Sequence, residues 1–200
     1  MQEKEVLLFM TPQTILKEYF GYDRFRDGQE ALIRQILSGG DVLGIMPTGA
    51  GKSICYQVPA MLLTGITVVV SPLISLMQDQ VAALKDAGLP AACLHSNLDQ
   101  RAYFDTLDAV RRGEIRLLYA APERLLTDAF LSLTETVAVA MVAVDEAHCL
   151  SQWGQDFRPK YLQIIDFLRQ LPYRPAVAAF TAQVSPLCPP GPYTEIHPPQ

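Results

Sequence analysis

The chain is short of charge. Only 18% of its 200 residues are Asp, Glu, Lys or Arg, and the formal net charge is -5, so no bulk basicity advertises a nucleic acid and any such contact must be local. Cysteine is scarce: Cys55, Cys93, Cys149 and Cys188 stand far apart without C-x-x-C spacing. That pattern argues against a zinc site and a disulfide framework and fits a reducing, cytoplasmic setting. The apolar segment from Val6 to Met10 is too short for a signal-peptide core, and no apolar run approaches the length of a membrane span, so a soluble protein is expected. No internal repeat is visible, and tryptophan occurs once, at Trp153. Half of the residues are hydrophobic, enough for one domain to bury a core.

The most informative stretch runs Met46-Pro-Thr-Gly-Ala-Gly-Lys-Ser53. An apolar run, Val42 to Ile45, precedes it and a plausible helix, Ser53 to Leu63, follows, so the stretch lies where a strand hands over to a helix N-terminus. Gly49 and Gly51 allow backbone N–H groups, with those of Thr48 and Ala50, to turn inward around a polyphosphate. The helix N-terminus adds partial positive charge, Lys52 can reach the outer phosphates, and the Ser53 hydroxyl can hold Mg²⁺. The full pattern G-x-x-x-x-G-K-[ST] asks for Gly at position 46, where this chain has Met. A Gly-rich turn ending in Lys-Ser is the bland alternative, and the strand-loop-helix setting disfavours it.

A second motif supports the first. The run Val142 to Val144 ends in Asp145, Glu146, Ala147 and His148. Carboxylates at the C-terminal end of a parallel strand face the ligand crevice, where Asp145 can bind Mg²⁺ through water and Glu146 can polarise the attacking water. A pair of solvated acids opening a turn would be an accident downstream of a phosphate loop. Upstream, Gln29 starts a helical stretch to Leu37, and its amide matches the N6 and N7 edge of adenine, with Tyr22 or Arg26 available to stack. A helix-start Gln beside core aromatics explains those residues equally well, and spacing alone leaves both readings open.

The remaining elements alternate. Ile15 to Phe20 reads as an amphipathic helix, Ile66 to Val70 as a buried strand ending at Ser71-Pro72, and Leu73 to Ala87 as a helix whose stripe of Leu73, Leu76, Met77, Val81 and Leu84 faces a core. Ser71 and Gln80 are not explained by that stripe. Ala91 to Leu94 and Ile115 to Tyr119 read as strands flanking a helix from Gln100 to Arg112 closed by Gly113. After the turn Ala121-Pro-Glu-Arg124, a helix to about Leu131 leads into the strand carrying Asp145. Lys160 to Leu171 then reads as a helix and Pro175 to Ala182 as a last strand. Such alternation predicts an α/β fold, a mostly parallel sheet with helices on both faces.

Together, Phe25-Arg-Asp-Gly-Gln29, the phosphate loop, Val70-Ser-Pro-Leu-Ile-Ser-Leu-Met77, Tyr119-Ala-Ala-Pro-Glu-Arg124, Asp145-Glu-Ala-His148 and Cys149-Leu-Ser-Gln-Trp-Gly-Gln-Asp-Phe-Arg-Pro159 closely resemble the RecQ family of ATP-dependent DNA helicases. The resemblance covers Thr14 to Ala182 and includes the Met at position 46. It implies a RecA-like P-loop motor domain that uses ATP and Mg²⁺ to move 3′ to 5′ on single-stranded DNA, with partly duplex DNA as a further partner. By position it makes Tyr22, Arg26 and Gln29 adenine contacts, Lys52 and Ser53 phosphate and metal contacts, and Asp145 and Glu146 the hydrolytic acids. The family's aromatic-rich loop matches Ser151 to Arg158. There Trp153 and Phe157 can stack on unpaired bases without reading their identity, and Arg158 adds a phosphate or cation–π partner. Ser71 joins this DNA-facing set, and His148 would link the loop to Glu146. Apart from the resemblance, a core role is the alternative for Trp153, and His148 reads more readily as a structural residue.

The resemblance stops at Thr181-Ala182, where the family's Thr-Ala-Thr gives way to Gln183. From Val184 to Gln200 there are six prolines, which neither helix nor central strand tolerates. The expected organisation is an extension over 1–12, the helicase ATP-binding domain over 13–182 and a disordered Pro-rich tail over 183–200, as in a truncated or frame-shifted helicase or one with a genuine linker. Two functions follow as expectations. One is the motor domain of a helicase; the other is a nucleotide- and DNA-binding module without turnover, because no second motor domain with its arginine finger is seen. Small-molecule phosphotransfer would leave Gln29, Glu123 and the Trp153 loop without purpose.

Overall fold

The computed structural model describes residues 10–47, 49–147 and 158–182, with side chains from residue 162 onward in the last stretch. The element order is α1 (Pro12–Phe20), α2 (Gln29–Leu37), β1 (Val42–Ile45), α3 (Ile54–Leu62), β2 (Ile66–Val70), α4 (Ile74–Asp86), β3 (Ala91–Leu94) and α5 (Gln100–Arg111). It continues with β4 (Leu117–Ala120), a 3-10 turn over Pro122–Arg124, α6 (Asp128–Thr136), β5 (Val139–Val144), α7 (Arg158–Gln170) and β6 (Ala176–Thr181). Thr48, His148, Trp153, Phe157 and the tail over 183–200 lie outside the described residues, as do 1–9; Arg158 opens α7, but its side chain is outside them too.

All six strands form one sheet in the order β1-β6-β5-β2-β4-β3, and every pairing is parallel. Alternation along the strands splits the core into two layers. Leu117 and Tyr119 of β4, Met141 and Ala143 of β5 and Phe180 of β6 pack with α1 to α4, while Leu118, Ala120, Val142 and Val144 pack with α5 to α7. Helices therefore cover both faces, which is why β2 is buried at all five positions and reads as a continuous apolar run.

Helix ends follow local chemistry. Thr11 caps α1 by accepting from the Thr14 N–H, and Gly21 closes the helix in the left-handed region at φ 73°. Asp99 caps α5 by accepting from the Ala102 N–H. One segment differs from expectation. The turn falls where expected, as a 3-10 turn over Pro122–Arg124, but α6 starts only after Thr127 and runs to Thr136, past Leu131. Pro122 at the head of the turn sets φ but cannot donate, and the Thr127 hydroxyl accepts the Tyr103 contact at 2.9 Å and bonds the Arg124 carbonyl at 2.9 Å, so the break is built by side chains from elsewhere in the fold. No helix among the described residues is long and apolar enough to cross a membrane.

Candidate nucleotide site at the carboxyl edge of the sheet

Parallel pairing brings the C-terminal ends of β1, β6, β5 and β2 to one edge. The Met46 N–H bonds the Thr181 carbonyl at 2.9 Å, the Asp145 N–H bonds Val70 at 3.0 Å and the Ala147 N–H bonds Phe180 at 2.8 Å. The loop after β1 and the acids after β5 are thus stitched to their neighbours. Across this edge Lys52 Nζ meets Glu146 Oε1 at 3.1 Å. The lysine side chain is 9% exposed and the glutamate 20%, so the pair is shielded from salt more than a surface bridge is.

Glu146 adopts φ 51°, alone among non-glycine residues described. A left-handed conformation costs an ordinary residue roughly 1–2 kcal/mol, and such strain concentrates at functional sites. Its own N–H bonds Asp145 Oδ1 at 2.9 Å. The other oxygen, Oδ2, lies 3.4 Å from the Tyr56 hydroxyl. Asp145 is 7% exposed, and burial, then the neighbouring Glu146 charge, push its carboxyl above the ordinary range against the help of the Glu146 N–H, Lys52 and Tyr56. Burial likewise drives Tyr56 well above the usual phenol range and Tyr119 up to about 12. Cys55, just behind the loop, is raised to about 12 by burial and is an inert core thiol.

Gly49 and Gly51 both sit at φ 81°. At Gly51 a Cβ would fall 2.6 Å from Gln29 Nε2, so glycine is required there by conformation and by space. Gln29 itself is 3% exposed. Its Oε1 accepts the Arg26 N–H at 2.9 Å, and its Nε2 donates to the Ala50 and Gly51 carbonyls at 3.2 and 3.0 Å. Arg26 Nη1 donates to the Gly49 carbonyl. The α2 start therefore braces the phosphate loop. Both amide protons of Gln29 are spent on it, leaving only an Oε1 lone pair for a base, whereas the sequence reading allowed a donor as well. Tyr22, 53% exposed, flanks an open cleft of about 360 Å³ lined also by Arg26, Gln29, Ser53, Gln57 and Gln80.

Ser71 is placed differently from expectation. It is 1% exposed, and its hydroxyl accepts the Leu73 N–H at 3.4 Å, so it shapes the turn after β2. The exposed side chain there is Leu73, at 48%. Arg124 donates to the His95 carbonyl at 3.1 Å and stands 5.2 Å over the Tyr103 ring, fixed by packing that spacing did not foretell. Sequence reasoning also missed Tyr56 and Gln57. The available signal was two polar side chains in α3, a helix buried at every position from Ile54 to Met61.

Among the described residues no cluster of three or more His, Cys, Asp or Glu gathers for a metal. A Mg²⁺ ion needs none, since it takes one or two protein oxygens and fills its shell with phosphate oxygens and water. The Ser53 hydroxyl and the Asp145 carboxylate are hard oxygen donors of that type, so the residues present fit it.

The chain is similar to known helicases. The family model described as DEAD/DEAH box helicase matches residues 26–186. The chain is 46% identical over 175 residues to the ATP-dependent DNA helicase RecQ of Bacillus subtilis (strain 168), covering 87% of this chain and 30% of that protein. It is 42% identical to the ATP-dependent DNA helicase Q4 of Homo sapiens over 80% of this chain and 14% of that one. Among solved structures, the DUF1998 helicase MrfA bound to DNA superposes with a TM-score of 0.71 at 17% identity, over 87% of this chain and 26% of that one. A hypothetical ATP-dependent RNA helicase from Sulfolobus tokodaii does so at 0.68 and 21%, over 92% of this chain and 55% of that one. These likenesses support a RecA-like α/β domain. The chain spans about three tenths of the RecQ protein's length.

Proposed function

The chain belongs to the DEAD/DEAH box helicase family, and from that premise we propose that it is the ATP-binding motor domain of a RecQ-like DNA helicase, coupling Mg·ATP hydrolysis to 3′ to 5′ movement on single-stranded DNA, with partly duplex DNA as substrate. The observation that carries this reading is the Lys52–Glu146 ion pair at 3.1 Å, which joins the phosphate loop to the acids of β5 across the edge where a nucleotide's phosphates would lie. An arriving γ-phosphate competes with Glu146 for Lys52. Once Lys52 turns to phosphate, the Glu146 carboxylate gives up its contact with the lysine and is placed to orient a water, so nucleotide binding arms the base. The N–H groups around Gly49, Ala50 and Gly51, with Thr48 by position, cradle phosphate oxygens, and Gln29 and Arg26 hold that loop in shape. Ser53 and Asp145 would hold Mg²⁺, which when bound neutralises charge developing on the phosphates.

Tyr22 and Arg26 offer faces for the base. The free Oε1 lone pair of Gln29 can accept from the adenine N6 amino group but meets guanine's O6 acceptor unfavourably, so ATP should displace a labelled ATP analogue better than GTP does. Equal displacement by GTP would remove the adenine assignment. Trp153, Phe157 and Arg158 supply base stacking and a phosphate contact in this reading, with His148 between them and Glu146.

A second reading, a nucleotide- and DNA-binding module without turnover, has one observation in its favour. Arg111 and Arg116 lie beside the start of β2 and the approach to β4, at the edge of the sheet opposite the phosphate loop, and Arg112 is held by Glu114. None of the three can reach a γ-phosphate within the same domain. In this second reading no arginine serves as a finger, and since a finger is worth about 10³ to 10⁵ in turnover, these 200 residues alone bind Mg·ATP and hydrolyse it very slowly. Steady-state phosphate release with and without single-stranded DNA, against a Glu146→Gln background, decides between the readings. DNA-stimulated turnover independent of protein concentration supports the motor; a rate at background supports the module.

A further inference from the structure

Helix α3 carries Tyr56 and Gln57 inside the protein, at 0% and 4% exposure, and the nucleotide reading gives neither a task. Their hydrogen bonds form a path. Gln57 Nε2 donates to Gln80 Oε1 and to the Tyr119 hydroxyl oxygen, both at 3.0 Å. Tyr119 interacts in turn with the Tyr56 phenol, as does the Ser53 side chain, and Tyr56 stands 3.4 Å from Asp145 Oδ2. The Tyr56 O–H donates toward Asp145 Oδ2. Both protons of the Gln57 amide are spent, and the Tyr119 hydroxyl oxygen accepts one of them. Asp145 Oδ1 is held by the Glu146 N–H at 2.9 Å, and Oδ2 by the phenol.

We propose that Tyr56, backed by Tyr119, Gln57 and Gln80, is a positioning residue for the Mg²⁺ site. Its hydroxyl, 3.4 Å from Asp145 Oδ2, fixes the rotation of the Asp145 carboxylate. This rests on the nucleotide-site reading and deepens it. The far end of the path, Gln80, lies on α4 and lines the cleft assigned to the base, so base cleft and metal carboxylate share one buried hydrogen-bonded connection. A packing role would need the rings alone; the positioning role needs the hydroxyls.

Tyr56→Phe and Tyr119→Phe separate the two. Phenylalanine keeps the ring that meets Phe180 at a centroid distance of 5.5 Å. The measurement is the anisotropy of a fluorescent ATP analogue on the 200-residue chain, titrated with Mg²⁺ and repeated in EDTA, with Mn²⁺ binding followed by electron paramagnetic resonance. Tyr56→Phe should raise the Mg²⁺ concentration for half-maximal effect, and weaken Mn²⁺ binding, on the order of 10-fold, the usual cost of losing an outer-shell partner. Metal-free binding in EDTA should stay unchanged. Tyr119→Phe should shift both in the same direction by less, and the double variant should go no further than Tyr56→Phe, because the residues act in series. If Tyr56→Phe does not fold, Tyr119→Phe carries the test. Unshifted metal dependence, or equal weakening with and without metal, overturns the proposal. Failure of the unaltered chain to bind the analogue at any Mg²⁺ concentration would instead bring down the nucleotide reading itself.

Discussion

Replacing Gln29 with Ala tests whether the glutamine braces the phosphate loop. Three hydrogen bonds go with it: from the Arg26 N–H, and to the Ala50 and Gly51 carbonyls. Each nets about 0.5–1.5 kcal/mol in a folded protein, so the loss comes to roughly 3 kcal/mol for a side chain 3% exposed. In a domain of this size about 1 kcal/mol moves Tm by 2–4 °C; calorimetry should therefore show a fall of roughly 6–12 °C. Nucleotide affinity should drop for ATP and ADP alike, because the defect is in the loop and not at the γ-phosphate. Gln29→Glu is the control. It retains an acceptor for the Arg26 N–H but sets an anion against two carbonyl oxygens and beside incoming phosphate, so it should bind nucleotide worse than Gln29→Ala. A Gln29→Ala variant melting within about 1 °C of the unaltered chain would refute the bracing argument.

Lys52→Ala removes the phosphate contact and leaves Glu146 without its 3.1 Å partner; binding of a labelled ATP analogue should be lost, and retained binding would detach Lys52 from the site. Asp145→Asn should stabilise the chain at neutral pH. Because burial raises the folded-state pKa of Asp145, both states are protonated at pH below the ordinary carboxyl range, where the substitution changes only the hydrogen bonds at Oδ1 and Oδ2. Above that range the unfolded chain ionises first and the wild type alone loses stability. The Tm difference should open with rising pH and flatten above the folded-state pKa; a difference independent of pH would contradict the burial argument. Gly51→Ala places a Cβ 2.6 Å from Gln29 Nε2 at a positive φ and should lower Tm at least as much as Gln29→Ala, as thermal melts would show. Trp153 emission should change when single-stranded DNA is added, and the affinity should fall with salt; an unchanged spectrum at saturating DNA would remove Trp153 from the DNA contact.

Much of this protein could be read from spacing alone. Val42–Ile45, Ile66–Val70, Ala91–Leu94 and Gln29–Leu37 fall where the apolar pattern puts them, because local periodicity and Gly or Pro boundaries act over a few residues. The phosphate loop and the Asp145-Glu146 pair were legible for the same reason: each is a short segment tied to the end of one strand. What the tertiary structure decided is which segments meet. Strand order inserts β6 and β5 between β1 and β2, and only that order brings Lys52 to Glu146, 94 residues apart in sequence. It also spent both amide protons of Gln29 on the loop while leaving one Oε1 lone pair, buried Ser71, and set Gln80, Gln57, Tyr119 and Tyr56 behind Asp145. Those outcomes depend on which buried polar group finds which partner across the core. An unpaired buried polar group costs about 1–3 kcal/mol wherever it lies, and a one-dimensional pattern does not say who the partner is.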